Sequence, residues 1–413
     1  MKERIKKFLK KSESMLKINT TYLVSGGFWL TSRQIIVSSI ALLLTIILAN
    51  TLSQKDYGLY KYVLSIASIL MITSLTGTSI ALKQTIALGN YKNFLETVKL
   101  KIRWGLLGSL ASIVLSFYYF FQGNNNLGTI FLIISPFLAL FNPFAAFEDY
   151  LIGKKEFKLS AKLKSVTETL NIYFLVTIIL LTNDVKLIIL GYFIILSLNR
   201  FFVYLYIKKR DRKKILESNF DKENLTYGKH LSLMNILSTL ATHIDKLIVF
   251  HYLGATELAI YSFAIAPVEY LSTFISNIKT LILPKFSSGN LSGIKKNINK
   301  KIGIMFGSII MIVLIYIIIS PFFYQIAFSQ YKQSIFLSQL YSLSLLTYVS
   351  VIPLTLLQAK KNIKKLYYIK TIAPTLTIII LFFSVQYGVI GLILGKIISK
   401  SLRLCYITYL AKK

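Results

Sequence analysis

Twelve stretches of this 413-residue sequence are each long and apolar enough to cross a lipid bilayer, and that pattern excludes most other architectures. A helix rising 1.5 Å per residue needs roughly 20 apolar residues to traverse the hydrocarbon core. The stretches are 24–50, 57–81, 104–121, 128–150, 166–182, 187–207, 231–252, 259–282, 302–322, 334–358, 367–386 and 389–410. Only 15% of the residues are charged and 54% are hydrophobic, far too little charge to clothe a soluble domain of this length. The expected fold class is therefore an all-α integral membrane protein of about twelve spans.

The chain is also strongly basic, with 48 Lys and Arg against 16 Asp and Glu and a net charge of +32. Such a balance often marks a nucleic-acid partner. Here it does not, because 37 of the 48 basic residues lie in every second loop or at the termini, and only three (Lys55, Lys186, Lys332) lie in the alternate loops. This is the positive-inside pattern, and it predicts an even number of spans with both termini in the cytoplasm. The lysine-rich segment 1–22 precedes a run too long for a cleaved signal, so it reads as a basic amphipathic arm ahead of an uncleaved first span. The longest hydrophilic stretch, 208–230, is a cytoplasmic linker that divides 23–207 from 231–413, six spans each. A single cysteine, Cys405, and three scattered histidines offer neither a disulfide framework nor a metal site.

The two halves resemble each other. ILANTLSQKDYGLY (47–60) aligns with IVFHYLGATELAIY (248–261) at a constant offset of 201, so that Asp56 meets Glu257, Gly58 meets Ala259 and Tyr60 meets Tyr261. Each segment is the external turn after the first span of its half. Parallel repeats of this kind place substrate between the halves.

LANTLSQKDYGLYKYVLSI (48–66), THIDKLIVFHYLGATELAIYS (242–262) and LILPKFS (281–287) resemble segments of the Wzx-type oligosaccharide flippases of the polysaccharide-transporter group. That group shares a superfamily (MOP) with the multidrug MATE transporters and the lipid II flippases. Ala259 departs from the glycine common at its position. The resemblance implies a V-shaped pair of six-helix bundles. It also implies alternating access to an undecaprenyl-diphosphate-linked oligosaccharide, moved across the bacterial cytoplasmic (inner) membrane for a capsule or O-antigen type of polymer. Membrane lipids and other polysaccharide-assembly membrane proteins are the implied partners.

Charges inside spans cost about 2.5–3.5 kcal/mol each to insert and are functional candidates. Arg33, about nine residues or roughly 13 Å into the first span, reads either as a cavity-lining group for a diphosphate or as a structural ion pair. In the seventh span, His243 and Lys246 share a face and Asp245 adjoins it, giving either a substrate or ion site or a local Asp245–Lys246 pair. Glu269, two residues after Pro267, reads as a proton- or sodium-coupling carboxylate or as a partner for a buried cation. Lys396, Lys400 and Arg403 form a stripe on the last span, with Arg200 at the matching place in the sixth, offset by 200 from Lys400. With Arg200, the stripe reads either as a track for the diphosphate or as Lys400 and Arg403 snorkelling to the cytoplasmic phosphates; Arg403 is expected to snorkel and Lys396 to serve the track. Lys61, Lys83, Glu148, Asp149 and Lys279 fall near span ends and are expected at the interface. Gly391 and Gly395 form a GxxxG packing step. No Walker A sequence is present, so this chain is not an ATP-driven pump on its own, and no cofactor is expected. A multidrug antiporter would want an acidic cavity, and a polymerase or glycosyltransferase an external loop that this sequence lacks.

Overall fold

The computed structural model describes residues 20–182, 184–288, 298–359 and 363–412. The basic arm therefore lies outside the described residues up to position 19, and the side chain of Lys279 is also outside them. Every regular element among the described residues is helical, as a bilayer demands when each backbone group must be paired within its own segment. The first half comprises α1 (Thr20–Thr51), α2 (Gln54–Leu70), α3 (Thr78–Ala87), α4 (Asn93–Phe121), α5 (Asn125–Phe141), α6 (Ala146–Gly153), α7 (Phe157–Leu181) and α8 (Val185–Arg210). After a short α9 (Arg212–Glu217), the second half comprises α10 (Lys222–Leu253), α11 (Ala255–Ser288), α12 (Ile298–Ala327), α13 (Ser334–Ser342), α14 (Val351–Ala359), α15 (Ile363–Ser384) and α16 (Gly388–Lys412).

The described helices are long and apolar enough for up to twelve crossings. Ten stretches are individually long and apolar enough, and α2 with α3 supplies another span bent by 49°. The 45-residue stretch Tyr367–Ala411 counts twice, because α15 and α16 fold back on each other at Gly388, whose φ is +67°. A Cβ at Gly395 would fall 2.2 Å from Ser384 Oγ and one at Gly391 2.3 Å from Ser384 O, so the GxxxG step lets these two helices pack closely. The stretch 208–230 is more ordered than a linker: α10 starts at Lys222, capped by Asp221, whose side chain accepts from Asn224 N at 2.9 Å.

Pro136, Pro267, Pro321 and Pro374 lie within helices, and each deprives the carbonyl four residues earlier of its usual donor. A side chain replaces it in every case. Ser135 Oγ donates to Leu132 O (2.8 Å) below Pro136, and Tyr324 hydroxyl to Phe263 O (2.7 Å) below Pro267. Gln339 Nε2 donates to Ile317 O (3.0 Å) below Pro321, and Ser238 Oγ to Lys370 O (3.5 Å) below Pro374. Three of these donors come from neighbouring spans, so the kinks are also packing points.

The described basic segments at Lys92, at 154–156 and at 210–221 meet at one end of the bundle, here the basic end. The halves meet along the second span, with α2 against α10 and α11, and α3 against α10. At the opposite end the seal is tight. A Cβ at Gly58 would sit 1.8 Å from Ala255 O, so the two repeat turns pack backbone to backbone. Tyr57 stacks on Phe263 at 4.4 Å, and Phe263 packs on Tyr331 (3.8 Å) and Phe328 (4.8 Å), all fully buried. Asn50 Nδ2 donates to Ala327 O (3.1 Å), and Gln54 Nε2 to Gln330 O (2.7 Å). Toward the basic end, Asp211 ties α6, α8 and α9 together by accepting from Tyr150 hydroxyl (2.8 Å) and Lys154 Nζ (2.6 Å) and pairing with Arg210 (2.9 Å). Burial alone would raise its pKa, but these three donors outweigh burial and hold the carboxyl well below the usual carboxylate range.

Candidate functional site

Directly beneath the aromatic seal, helices from both halves bring charged side chains together. Asp245 is 0% exposed, eight residues or about 12 Å before the end of α10. It accepts from Lys396 Nζ at 2.6 Å and from Tyr261 hydroxyl at 2.7 Å, while its other oxygen takes the Lys246 backbone N–H at 2.8 Å. Lys396 (11% exposed) also reaches Glu269 at 3.5 Å, and Glu269 is 47% exposed. Half-exposure midway along an apolar span, beside an ion pair, means that this carboxylate faces the interior of the V and not lipid. The chain of contacts continues from Glu269 to Tyr341 hydroxyl (3.4 Å), and Lys400 Nζ donates to the same hydroxyl at 2.7 Å.

The expected Asp245–Lys246 side-chain pair is therefore replaced by Asp245–Lys396, because α16 delivers an ammonium to the buried face where Lys246 cannot point. Lys246 forms no ion pair among the described residues and feels Asp245, Glu269, Lys61 and Lys396 through space. His243 Nδ1 is buried without a hydrogen-bond partner among the described residues.

Lys61 corrects the sequence expectation. It lies seven residues into α2, not at the interface, with Nζ over the rings of Tyr57 (5.1 Å) and Tyr60 (5.8 Å). The first half thus contributes a cation, so that four ammonium groups (Lys61, Lys246, Lys396, Lys400) stand with two carboxylates (Asp245, Glu269). Nothing in the sequence singled Lys61 out, because the predicted second span began at 57 and left it near an end.

The first half holds its own network nearer the basic end. Arg33 Nη1 meets Glu148 at 2.5 Å, Glu148 meets Lys164 at 3.9 Å, and Lys164 meets Glu168 at 2.7 Å. Arg33 is thus paired, by a carboxylate expected only at the interface. Arg200 stacks over Phe141 (4.2 Å from the ring centroid) and donates to Phe141 O at 2.9 Å. Lys400 stands over Tyr341 at 4.6 Å. Both members of each cation–aromatic pair are offset by 200, and both rings close the straight part of the fourth span of their half, just before a break. The repeat therefore extends from the external turns into the bundle interiors. The acidic groups do not follow it: Asp245 and Glu269 align with Leu44 and Ser68.

The sequence profile of the polysaccharide biosynthesis protein family matches residues 23–290, more than half of the chain. The chain belongs to that family. No curated protein matches it by sequence. Among solved structures, a crystal structure of a MATE protein in the straight conformation is similar over 95% of each chain at 14% identity (TM-score 0.66). A multidrug resistance MATE family transporter of the MOP superfamily, in an outward-facing conformation, is similar over 94% of each chain at 12% identity (TM-score 0.60). A MOP superfamily transporter from Pyrococcus furiosus, described by the reverse polarity of its binding pocket, is similar over 94% of this chain and 95% of its own at 13% identity (TM-score 0.62). This member of the polysaccharide biosynthesis family thus has a multi-span helical fold similar to the V-shaped fold of those transporters.

Proposed function

We propose that the chain is a flippase for an oligosaccharide carried on a polyprenyl diphosphate, working by alternating access between its two halves. The observation that carries this reading is the excess of ammonium groups over carboxylates beneath the aromatic seal, drawn from both halves. A diphosphate entering that space replaces water around Lys61, Lys246 and Lys400 and competes with Glu269 for Lys396, while Asp245 keeps its fully buried hold on Lys396. Charge-assisted hydrogen bonds supply binding, and the prenyl tail stays in lipid.

The positive-inside rule assigns the basic end to the cytoplasm, and the seal then lies on the far side of the inner membrane, so the V is open toward the leaflet in which such lipids are assembled. Glu269, half-exposed and loosely held, is the group best suited to take up a proton or a sodium ion when substrate leaves. A cationic drug would meet net positive charge at this site, which disfavours the multidrug antiporter. The Pyrococcus furiosus transporter offers a parallel in its reversed pocket polarity.

The test is the pool of polyprenyl-linked sugars in cells lacking the protein, complemented by the native chain, by Lys246→Ala or by Arg33→Ala. The expected result is accumulation of completed lipid-linked units with loss of surface polymer. Native protein rescues both, whereas Lys246→Ala rescues neither at normal expression. Arg33, being paired with Glu148, tests whether the first-half network joins in transport. An unchanged lipid-linked pool in the deletion would overturn the flippase reading.

A further inference from the structure

Away from the central cluster, a second polar space lies within the first half. The second span breaks between α2 and α3, through a 3-10 turn at Met71–Ser74 and a left-handed Leu75 (φ 56°). The fourth span breaks between α5 and α6 at Asn142–Ala145. The two breaks lie side by side: Asn142 Nδ2 donates to Ser74 Oγ at 2.9 Å and to Met71 O at 3.5 Å. Between them is a cavity of about 100 Å³ lined by Ser74, Thr76, Ser79, Lys101, Asn142 and Asp149. Non-helical backbone at membrane depth is tolerated where it lines such a cavity, and paired discontinuous helices mark ion sites.

Lys101 decides what this cavity suits. It is 3% exposed, eight residues or about 12 Å into α4. Of its three N–H donors, one goes to Ser79 Oγ at 2.9 Å, and Lys101 forms no ion pair among the described residues. The one carboxylate lining the cavity, Asp149, is already paired with Lys83 at 3.1 Å. Asp149 is within electrostatic reach of Lys101 as well, so one carboxylate serves two ammonium groups, and a buried cation compensated only in part is costly. The backbone N–H groups of Thr78, Ser79 and Ile80 are all bonded within the turn, so the free donors are side chains: Lys101 and the hydroxyls of Thr76 and Ser79.

We propose that this cavity binds a small inorganic anion, of chloride to phosphate size, between the two helix breaks. The cavity, about 100 Å³, has room for one such ion among its polar lining groups. The ion completes the charge of Lys101 and ties the second span to the fourth. The same break also meets the other half: Gly77 N donates to Ser232 Oγ at 3.0 Å, and a Cβ at Gly77 would fall 2.3 Å from Ser232 N. An occupied site therefore holds the surface on which α10 rests.

The experiment uses the full chain in nanodiscs of zwitterionic lipid. The thermal midpoint is followed as sodium chloride or sodium phosphate replaces sodium gluconate at constant ionic strength. The expected result is a saturable rise with chloride or phosphate, with half-saturation moved at least tenfold higher in Lys101→Gln. Should Lys101→Gln not fold, Thr76→Val with Ser79→Ala keeps the lysine and is expected to weaken half-saturation several-fold. No saturable rise with either anion would overturn the proposal. So would a rise equal in native and variant protein, or an equal saturable rise as sodium gluconate replaces choline gluconate, which would assign the cavity to a cation on Asp149.

Discussion

At the scale of single residues, the central cluster separates groups that hold the protein together from groups free to meet a ligand. Asp245 and Lys396 are mutually buried, and removing one partner of such a pair costs about 3–5 kcal/mol because the other charge is stranded. Asp245→Asn is therefore expected to lower stability by about 3 kcal/mol, with Asp245→Asn plus Lys396→Met recovering much of the loss. A double-mutant cycle on thermal unfolding in detergent checks this, and additive losses would sink the assignment. Glu269 is half-exposed and binds Lys396 from farther away. Glu269→Gln should change stability by less than about 1 kcal/mol while abolishing the pH or sodium dependence of transport. Transport by this variant with unchanged ion dependence would remove Glu269 from coupling. Most of these residues were legible in the sequence, because a charge inside an apolar run stands out. Their pairings were not. Lys396 finds Asp245 across 151 positions of sequence, and Arg33 finds Glu148 across 115.

At the scale of elements, the seal depends on two helix starts approaching more closely than side chains allow. Gly58 has no alternative there, since any Cβ meets the Ala255 carbonyl. Gly58→Leu is thus expected to hold the outer ends of α2 and α11 apart. With Cys405 replaced by serine, Ala259→Cys provides a reporter at a fully buried position in the seal. Membrane-impermeant maleimide should leave it unmodified with Gly58 in place and label it readily in the Gly58→Leu background. Equal protection in both would show that the turn does not form the gate. The proline kinks work the same way. Their positions are plain in the sequence, but the donors Tyr324, Gln339 and Ser238 belong to other spans, so only packing reveals which kinks are braced.

At the scale of the whole molecule, twelve crossings require both termini on one side and the repeat turns on the other. A green fluorescent protein fused after Lys413 should fluoresce, and alkaline phosphatase inserted at Ser53 or Gly254 should be active. An active phosphatase at the C-terminus would mean an odd number of crossings and would reverse the second half.

The sequence by itself determined the membrane class, the distribution of basic loops, the duplication and the family, because these rest on local hydropathy, on charge counted loop by loop and on short motifs. Tertiary structure alone decided which charges neutralise each other. It also placed Lys61 beside the central cluster, matched the Arg200–Phe141 and Lys400–Tyr341 pairs across the repeat, and set the two helix breaks of the first half around Lys101. The physical reason is that hydropathy constrains each helix along its own axis, whereas rotation about that axis and the depth of each break are set by neighbours distant in sequence. In hydrocarbon the cost of an unpaired polar group makes those neighbours decisive.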